Sequence, residues 1–158
     1  MNLEEIIKNG SKQLKKGKTN TSLLDAEIIL SDLMGITREF LITNNDMNIP
    51  DNIKKKFNHA INRRINDEPV AYITGKRDFW TETFTVNRAT LIPRPETELL
   101  IYKIIKFFGN KSINILDIGT GSGCILLSIL KELKFSRGTG IDISNLAIKV
   151  AINNSRRF

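Results

Sequence analysis

A chain of 158 residues has the length of one ordinary domain and enough side chains to bury one core. Hydrophobic residues make up 41% of it, yet no apolar run approaches the ~18 residues that a membrane span requires. The net charge is +7 and uneven, with 11 Lys/Arg against 10 Asp/Glu in residues 1–70 and 13 against 7 in residues 71–158. No Lys/Arg run is interleaved with aromatic residues, so the basic balance reads as a composition bias and not as a nucleic-acid platform. The first residues, Met-Asn-Leu-Glu-Glu, are acidic where a secretory signal would be basic, and a cytoplasmic location is expected. The single cysteine, Cys124, cannot form an internal disulfide; it reads as a small buried hydrophobe, and no metal site is expected.

The first stretch reads as helices joined by short turns. Leu3, Ile6, Ile7 and Leu14 share one helical face, which Gly10 is expected to interrupt before Gly17 ends it. A second, broadly apolar helix contains Leu23, Leu24, Ile28, Leu30, Leu33 and Met34, with Thr21 or Ser22 as its cap and Gly35 at its C-terminus. Residues 37–42 suggest a short third helix. Pro50 opens a longer one, in which Ile53, Phe57, Ala60, Ile61 and Ile65 form a one-sided stripe. His59 lies one residue outside that stripe and, without companion ligands, reads as a solvated histidine.

The pattern changes near Val70. Residues 77–80 and 84–86 suggest two short strands, and Pro93-Arg94-Pro95 forces an extended backbone before a helix over 96–108 that ends at Gly109. From Ile113 the order is strand (113–118), glycine loop, helix (124–133), strand (139–143) and a last helix started by Ser144. A helical crossover of that length makes the two strands parallel and the connection right-handed.

The loop Asp117-Ile-Gly-Thr-Gly-Ser-Gly123 falls where open α/β sheets bind nucleotide-like cofactors. Its glycines allow positive φ and leave no Cβ between backbone and ligand. Asp142 stands at the tip of the second strand, where a carboxylate accepts hydrogen bonds from ribose hydroxyls. Together they describe an adenosine pocket. The third glycine is at 123 and position 124 is Cys, a spacing that disfavours a dinucleotide oxidoreductase; a phosphate loop would need Gly-Lys-Ser/Thr, which is absent. Asp117 could hold the loop amides or a ligand amine, and capping is the plainer role for both aspartates.

Residues 68–101, from Glu-Pro-Val-Ala-Tyr-Ile-Thr-Gly-Lys-Arg-Asp-Phe-Trp to Leu91-Ile-Pro-Arg-Pro-Glu-Thr-Glu-Leu-Leu, resemble the release-factor glutamine methyltransferases, the HemK/PrmC family. The segments 115–124 and 141–144 continue the resemblance in register, and Ala147, Val150, Ala151 and Asn154 fit the helix that follows. Over residues 1–67 only the helical character and Leu24-Asp-Ala-Glu27 agree with it. The resemblance implies an α/β protein with three parts. These are an all-helical substrate-recognition domain over 1–67, a β-hairpin linker over 68–95, and an incomplete class I (Rossmann-like) S-adenosylmethionine-dependent methyltransferase domain over 96–158. It further implies S-adenosyl-L-methionine as cofactor, held by Gly119, Thr120, Gly121, Ser122, Gly123 and Asp142, with Asp117 beside them, and residues 94–98 bordering the mouth of the site. The implied partner is a peptide-chain release factor, in translation termination, with no direct nucleic-acid or membrane partner.

One departure outweighs the others. Family members carry Asn-Pro-Pro-Tyr after the fourth strand, whereas the prolines here are Pro50, Pro69, Pro93 and Pro95, none adjacent. The motif positions the target amide for transfer, so the chain is expected to be a truncated, inactive form, completed only if a second polypeptide supplies the missing strands. Thr81, where Gly is frequent, and Asn145, where Pro is usual, are smaller departures. Two parallel strands fall below the usual minimum for a stable sheet, so the 113–158 region is expected to be marginal by itself, with an open apolar edge. The alternative function is a non-catalytic module that binds a release factor or a complementary fragment.

Overall fold

The computed structural model describes residues 2–17, 19–109 and 111–158. The chain is a helix-rich α/β protein that divides into two units, residues 1–74 and residues 75–158.

The first unit is helical. Helix α1 (Leu3–Lys16) starts from a capping box: Asn2 Oδ1 accepts the Glu5 N–H at 2.9 Å, and Glu5 Oε2 accepts the Asn2 N–H at 3.1 Å. Helix α2 (Ser22–Met34) has Thr21 at its N-cap position without a side-chain bond, and ends at Gly35, whose φ of 66° is left-handed. A short α3 (Arg38–Thr43) is capped by Thr37, and α4 (Asp51–Ile65) follows Pro50. A fifth helix, α5 (Val70–Thr74), occupies residues expected to belong to a linker.

Gly10 does not interrupt α1. The helix runs unbroken through it, because the glycine serves packing and not chain breaking. A Cβ built there would lie 2.7 Å from Cζ of Phe57 and 2.8 Å from its Cε1. Gly17 faces Ile65 in turn, so α1 and α4 run side by side in the same direction, with the Phe57 ring seated over the bare turn. Leu3, Ile6, Leu14, Ile29, Leu30, Leu41, Phe57 and Ile61 are fully buried around that contact.

The polar residues of the Leu24-Asp-Ala-Glu27 segment have partners. Arg64 Nε donates to Asp25 Oδ2 at 2.7 Å across α2 and α4, and Arg38 donates twice to Glu27 Oε2, at 2.6 and 3.2 Å. Both acids are largely buried, so each pair fixes a helix crossing as much as it stabilises it. His59 is exposed, as its position beside the stripe suggested.

The second unit opens with an antiparallel hairpin, β1 (Lys76–Phe79) and β2 (Glu82–Thr85), in the register Lys76↔Thr85 to Phe79↔Glu82. Its two-residue turn places Trp80 at φ 58°, an unusual conformation for a bulky residue. Phe79 and Phe84 enter one core with Ile101, Cys124, Ile129 and Leu133, so the hairpin is part of this unit's interior. A turn of 3-10 helix, Pro95–Thr97, leads into α6 (Glu98–Phe108), followed by β3 (Asn114–Ile118), α7 (Cys124–Glu132), β4 (Arg137–Ile141) and α8 (Asn145–Ser155). The strands β3 and β4 are parallel, paired from Asn114↔Arg137 to Ile118↔Ile141.

Strand β4 begins and ends two residues earlier than periodicity suggested. The reason lies at its end, where Asp142 Oδ1 accepts the Ser144 N–H at 2.9 Å and bends the chain before Ile143 can pair. On the sheet face away from α7, Leu116, Ile118 and Ile141 are exposed, and Ile143 beyond the strand is fully so.

Replacing Gly10 with Ala tests the packing of α1 on α4. Alanine improves helix propensity by roughly 1 kcal/mol at most, whereas crowding a buried ring costs about 1–3 kcal/mol. The Gly10→Ala chain is therefore expected to be less stable in urea than the wild type, and a gain in stability would show that Phe57 can move aside.

Candidate functional site

The glycine loop lies between the end of β3 and the start of α7, and three constraints shape it. The first is the strand below. The Gly119 and Thr120 N–H groups both donate to the Ile141 carbonyl, at 2.8 and 2.9 Å, so the loop begins as an extension of the β3–β4 ladder. The second is conformational. Gly119, Gly121 and Gly123 have φ of 81°, 56° and 79°, values that side chains other than glycine's rarely adopt. The third is a pair of carboxylates. Thr120 Oγ1 donates to Asp117 Oδ2 at 2.8 Å, and the Gly121 N–H donates to Asp142 Oδ2 at 2.9 Å.

These bonds separate the two aspartates by role. Asp117 holds the Thr120 side chain. Asp142 holds the loop amide, and with its other oxygen the first turn after β4. The two backbone donors hold the Asp142 carboxyl below the usual aspartate range, the Ser144 N–H foremost and the Gly121 N–H next. A carboxylate oxygen has two lone-pair directions, so accepting one N–H on each leaves acceptor capacity toward the open side.

The other loop residues divide by exposure. Thr120 and Ser122 have buried side chains, so toward solvent the loop offers its backbone. A Cβ at Gly119 would meet nothing within 4 Å, and one at Gly121 only the Gly119 carbonyl at 3.9 Å. The space over these two glycines is open, and a ligand can approach the chain there without displacing a side chain. Gly123 differs, since a Cβ on it would come within 3.2 Å of Leu127 and 3.4 Å of Ala151, which lets α8 lie close to the loop.

Two glycines outside the loop are as important to its shape, and periodicity gave them no part. Gly138 of β4 faces α7, and Gly140 faces Thr120 of the loop. A Cβ at Gly138 would be 2.6 Å from Leu126 Cδ1, and one at Gly140 would be 2.8 Å from Thr120 Oγ1 and 3.1 Å from its Cβ. The helix thus rests directly on the strand, and Thr120 fits over bare backbone. Two glycines at alternate strand positions signal such an approach.

Elsewhere in this unit, Glu98, one of the residues expected to border a mouth, acts on the hairpin. Glu98 Oε1 accepts the Trp80 N–H at 2.9 Å, and Glu132 Oε1 accepts the indole Nε1–H at 2.8 Å, so two helices hold the strained turn. Lys131 and Glu82 form an ion pair beside it. Arg94 and Glu96 are exposed. Burial pushes the Cys124 thiol up from its ordinary value, as suits a core residue beside the loop. Among the described residues, no three His, Cys, Asp or Glu side chains cluster as metal ligands would, and no helix is long and apolar enough to cross a membrane.

Comparison with known proteins finds relatives for both units. The PrmC N-terminal domain family matches residues 5–75. A release factor glutamine methyltransferase of Buchnera aphidicola subsp. Schizaphis graminum is 37% identical over 158 residues, all of this chain and 57% of the relative. Along its whole length the chain is similar to release factor glutamine methyltransferases. Further release factor glutamine methyltransferases are 35% identical in Koribacter versatilis, over the whole chain and 57% of the relative, and 39% identical in Leptospira interrogans, over 95% of the chain and 53% of the relative. The chain spans about half the length of the curated relatives it matches.

Two outcomes test the geometry. Gly140→Ala must displace the short, loop-anchored Thr120 and not a flexible side-chain tip. It is expected to destabilise the chain by about 1–3 kcal/mol, read from urea unfolding, and to shift the Gly119–Gly121 amide resonances. The second concerns pH. A carboxyl whose folded value is depressed contributes fully above the ordinary aspartate value of about 3.9 and loses its contribution as pH falls through the lowered value. The carboxyl-carbon resonance of Asp142 should therefore titrate below about 3.9, with the Gly121 amide shift following the same curve. A midpoint above that value would disprove the two backbone bonds.

Proposed function

We propose that the second unit holds the adenosyl part of S-adenosyl-L-methionine, and that the chain is part of a class I methyltransferase acting on a glutamine of a peptide-chain release factor. The bond between Asp142 and the Gly121 amide carries this reading. It brings a carboxylate from the tip of one parallel strand against a glycine loop at the end of its neighbour, the arrangement that receives a ribose beside an adenosine-bearing chain. The open space above Gly119 and Gly121 supports it, and so does the similarity to release factor glutamine methyltransferases.

In this reading Asp142 accepts hydrogen bonds from the ribose hydroxyls with the lone pairs its backbone donors leave free. Gly119 to Gly123 present backbone to the cofactor, and Asp117 acts through Thr120 and the loop. S-adenosylmethionine, when bound, supplies an electrophilic methyl group on a sulfonium. What this chain's residues do is bind and orient it. None of the 158 residues is assigned to the transfer step, because Asn-Pro-Pro-Tyr is not among them. The division of labour we propose keeps the expected boundaries: helical recognition over 1–67, the hairpin segment over 68–95, and the Rossmann-like methyltransferase fold over 96–158, in a cytoplasmic protein.

Calorimetric titration of the 158-residue polypeptide with S-adenosylhomocysteine tests the reading. Binding is expected, with NADH giving no heat. Asp142→Asn loses the anionic acceptor and is expected to weaken binding by about tenfold or more, given roughly 1.5–3 kcal/mol for a hydrogen bond to a charged group. Incubated with a release factor and labelled S-adenosylmethionine, this polypeptide by itself is expected to transfer no methyl group. Preference for NADH, or an Asp142→Asn chain that binds as the wild type does, would overturn the assignment.

A further inference from the structure

Helix α8 carries two adjacent asparagines with opposite surroundings. Asn153 is exposed, whereas Asn154 has no exposed surface. Asparagine is a poor helix former, so one buried within a helix needs a reason. Its bonds provide one. Asn154 Oδ1 accepts the Thr85 N–H at 2.9 Å, while Nδ2 donates to the Thr85 carbonyl at 3.0 Å and to the Ser122 carbonyl at 2.8 Å. The amide thus meets both backbone groups of the last residue of β2, as another strand would, and uses its second proton on the glycine loop. The two partners are 69 and 32 residues away in sequence.

We propose that Asn154 is the positioning residue of the glycine loop, fixing the Ser122 carbonyl to the outer edge of the hairpin and so setting the loop conformation that faces the cofactor. The significance for cofactor binding rests on the function proposed above; the positioning itself does not. Asp142 holds the loop from the open side through Gly121, and Asn154 holds the next residue from the buried side. Between them the loop has one anchor on each face. Ala151, one turn earlier on α8, lies against Gly123 and keeps the helix at the distance the amide requires.

The chemistry is specific to this side chain. Aspartate keeps the acceptor for the Thr85 N–H but replaces the NH2 group, and with it both donors, by one oxygen that repels the two carbonyls. Glutamine is one methylene too long for a close-packed site, and alanine leaves three backbone groups without their partner.

The test is hydrogen exchange by NMR on the ¹⁵N-labelled chain. In the wild type, the Asn154 side-chain amide protons are expected to exchange at least about tenfold more slowly than those of Asn153, as a lost bond of about 1.4 kcal/mol corresponds to tenfold. Equal rates would overturn the proposal without any variant. In Asn154→Ala and Asn154→Asp, the Gly121 and Gly123 amides should exchange about tenfold faster or more, while Leu116 in β3 and Ile129 in α7 keep their wild-type rates. Unchanged loop rates, or an equal acceleration at every amide, would reduce Asn154 to an ordinary structural residue. Titration with S-adenosylhomocysteine then separates the two readings. A wild type that fails to bind it, yet shows the expected exchange pattern, removes the proposed cofactor and leaves the positioning role in place. If both variants fold and lose loop protection but bind as tightly as the wild type, the loop conformation is not what Asn154 sets for the ligand, and the proposal fails.

Discussion

The second unit depends on how closely α7 lies on β4. Parallel strands joined by a helix need that helix to cover one face, and here Gly138 leaves room for Leu126 and Leu130 of α7 and Gly140 for Thr120 of the loop. The close approach lets Thr120 sit over Gly140 and bond Asp117. With Thr120 fixed, Gly121 reaches Asp142 and Gly123 turns into the helix.

The first unit solves a similar problem with a different partner. Gly10 admits an aromatic ring, so two helices that run in the same direction can share one layer of core. The polar pairs Arg64–Asp25 and Arg38–Glu27 then fix which helix faces which, because an unpaired carboxylate at either place would be largely buried. Apolar stripes give these helices their affinity, and the paired charges give them their neighbours.

The helices were legible because their apolar residues repeat with the helical period, and the parallel pair because a glycine loop and a helix separate two short apolar runs. What periodicity could not supply was the meaning of single residues. It read Gly10 as a break, since a glycine in a helix weakens it unless something occupies the space; Phe57, 47 positions on, is that something. It extended β4 to residue 143, missing that an aspartate followed two residues later by a free N–H forms a turn. Two signals were present and unused: the Asn-x-x-Glu box that starts α1, and the alternate glycines of β4. Of the site, the loop and Asp142 stood out by spacing. The bond between them and the Asn154 amide did not, because partners 21, 32 and 69 residues apart leave no local pattern.

The Asn154 contacts have a consequence for how the chain can vary. All three of its bonds end on main-chain atoms, of Thr85 and Ser122, and none on their side chains. Mutational drift at positions 85 and 122 is therefore invisible to the anchor, provided the backbone path is kept, whereas position 154 has no equivalent substitute. The dependence runs one way. A residue in the last helix is bound by the main-chain path of two segments whose side chains at 85 and 122 make none of these bonds, and coordinated substitution between them would not reveal the connection.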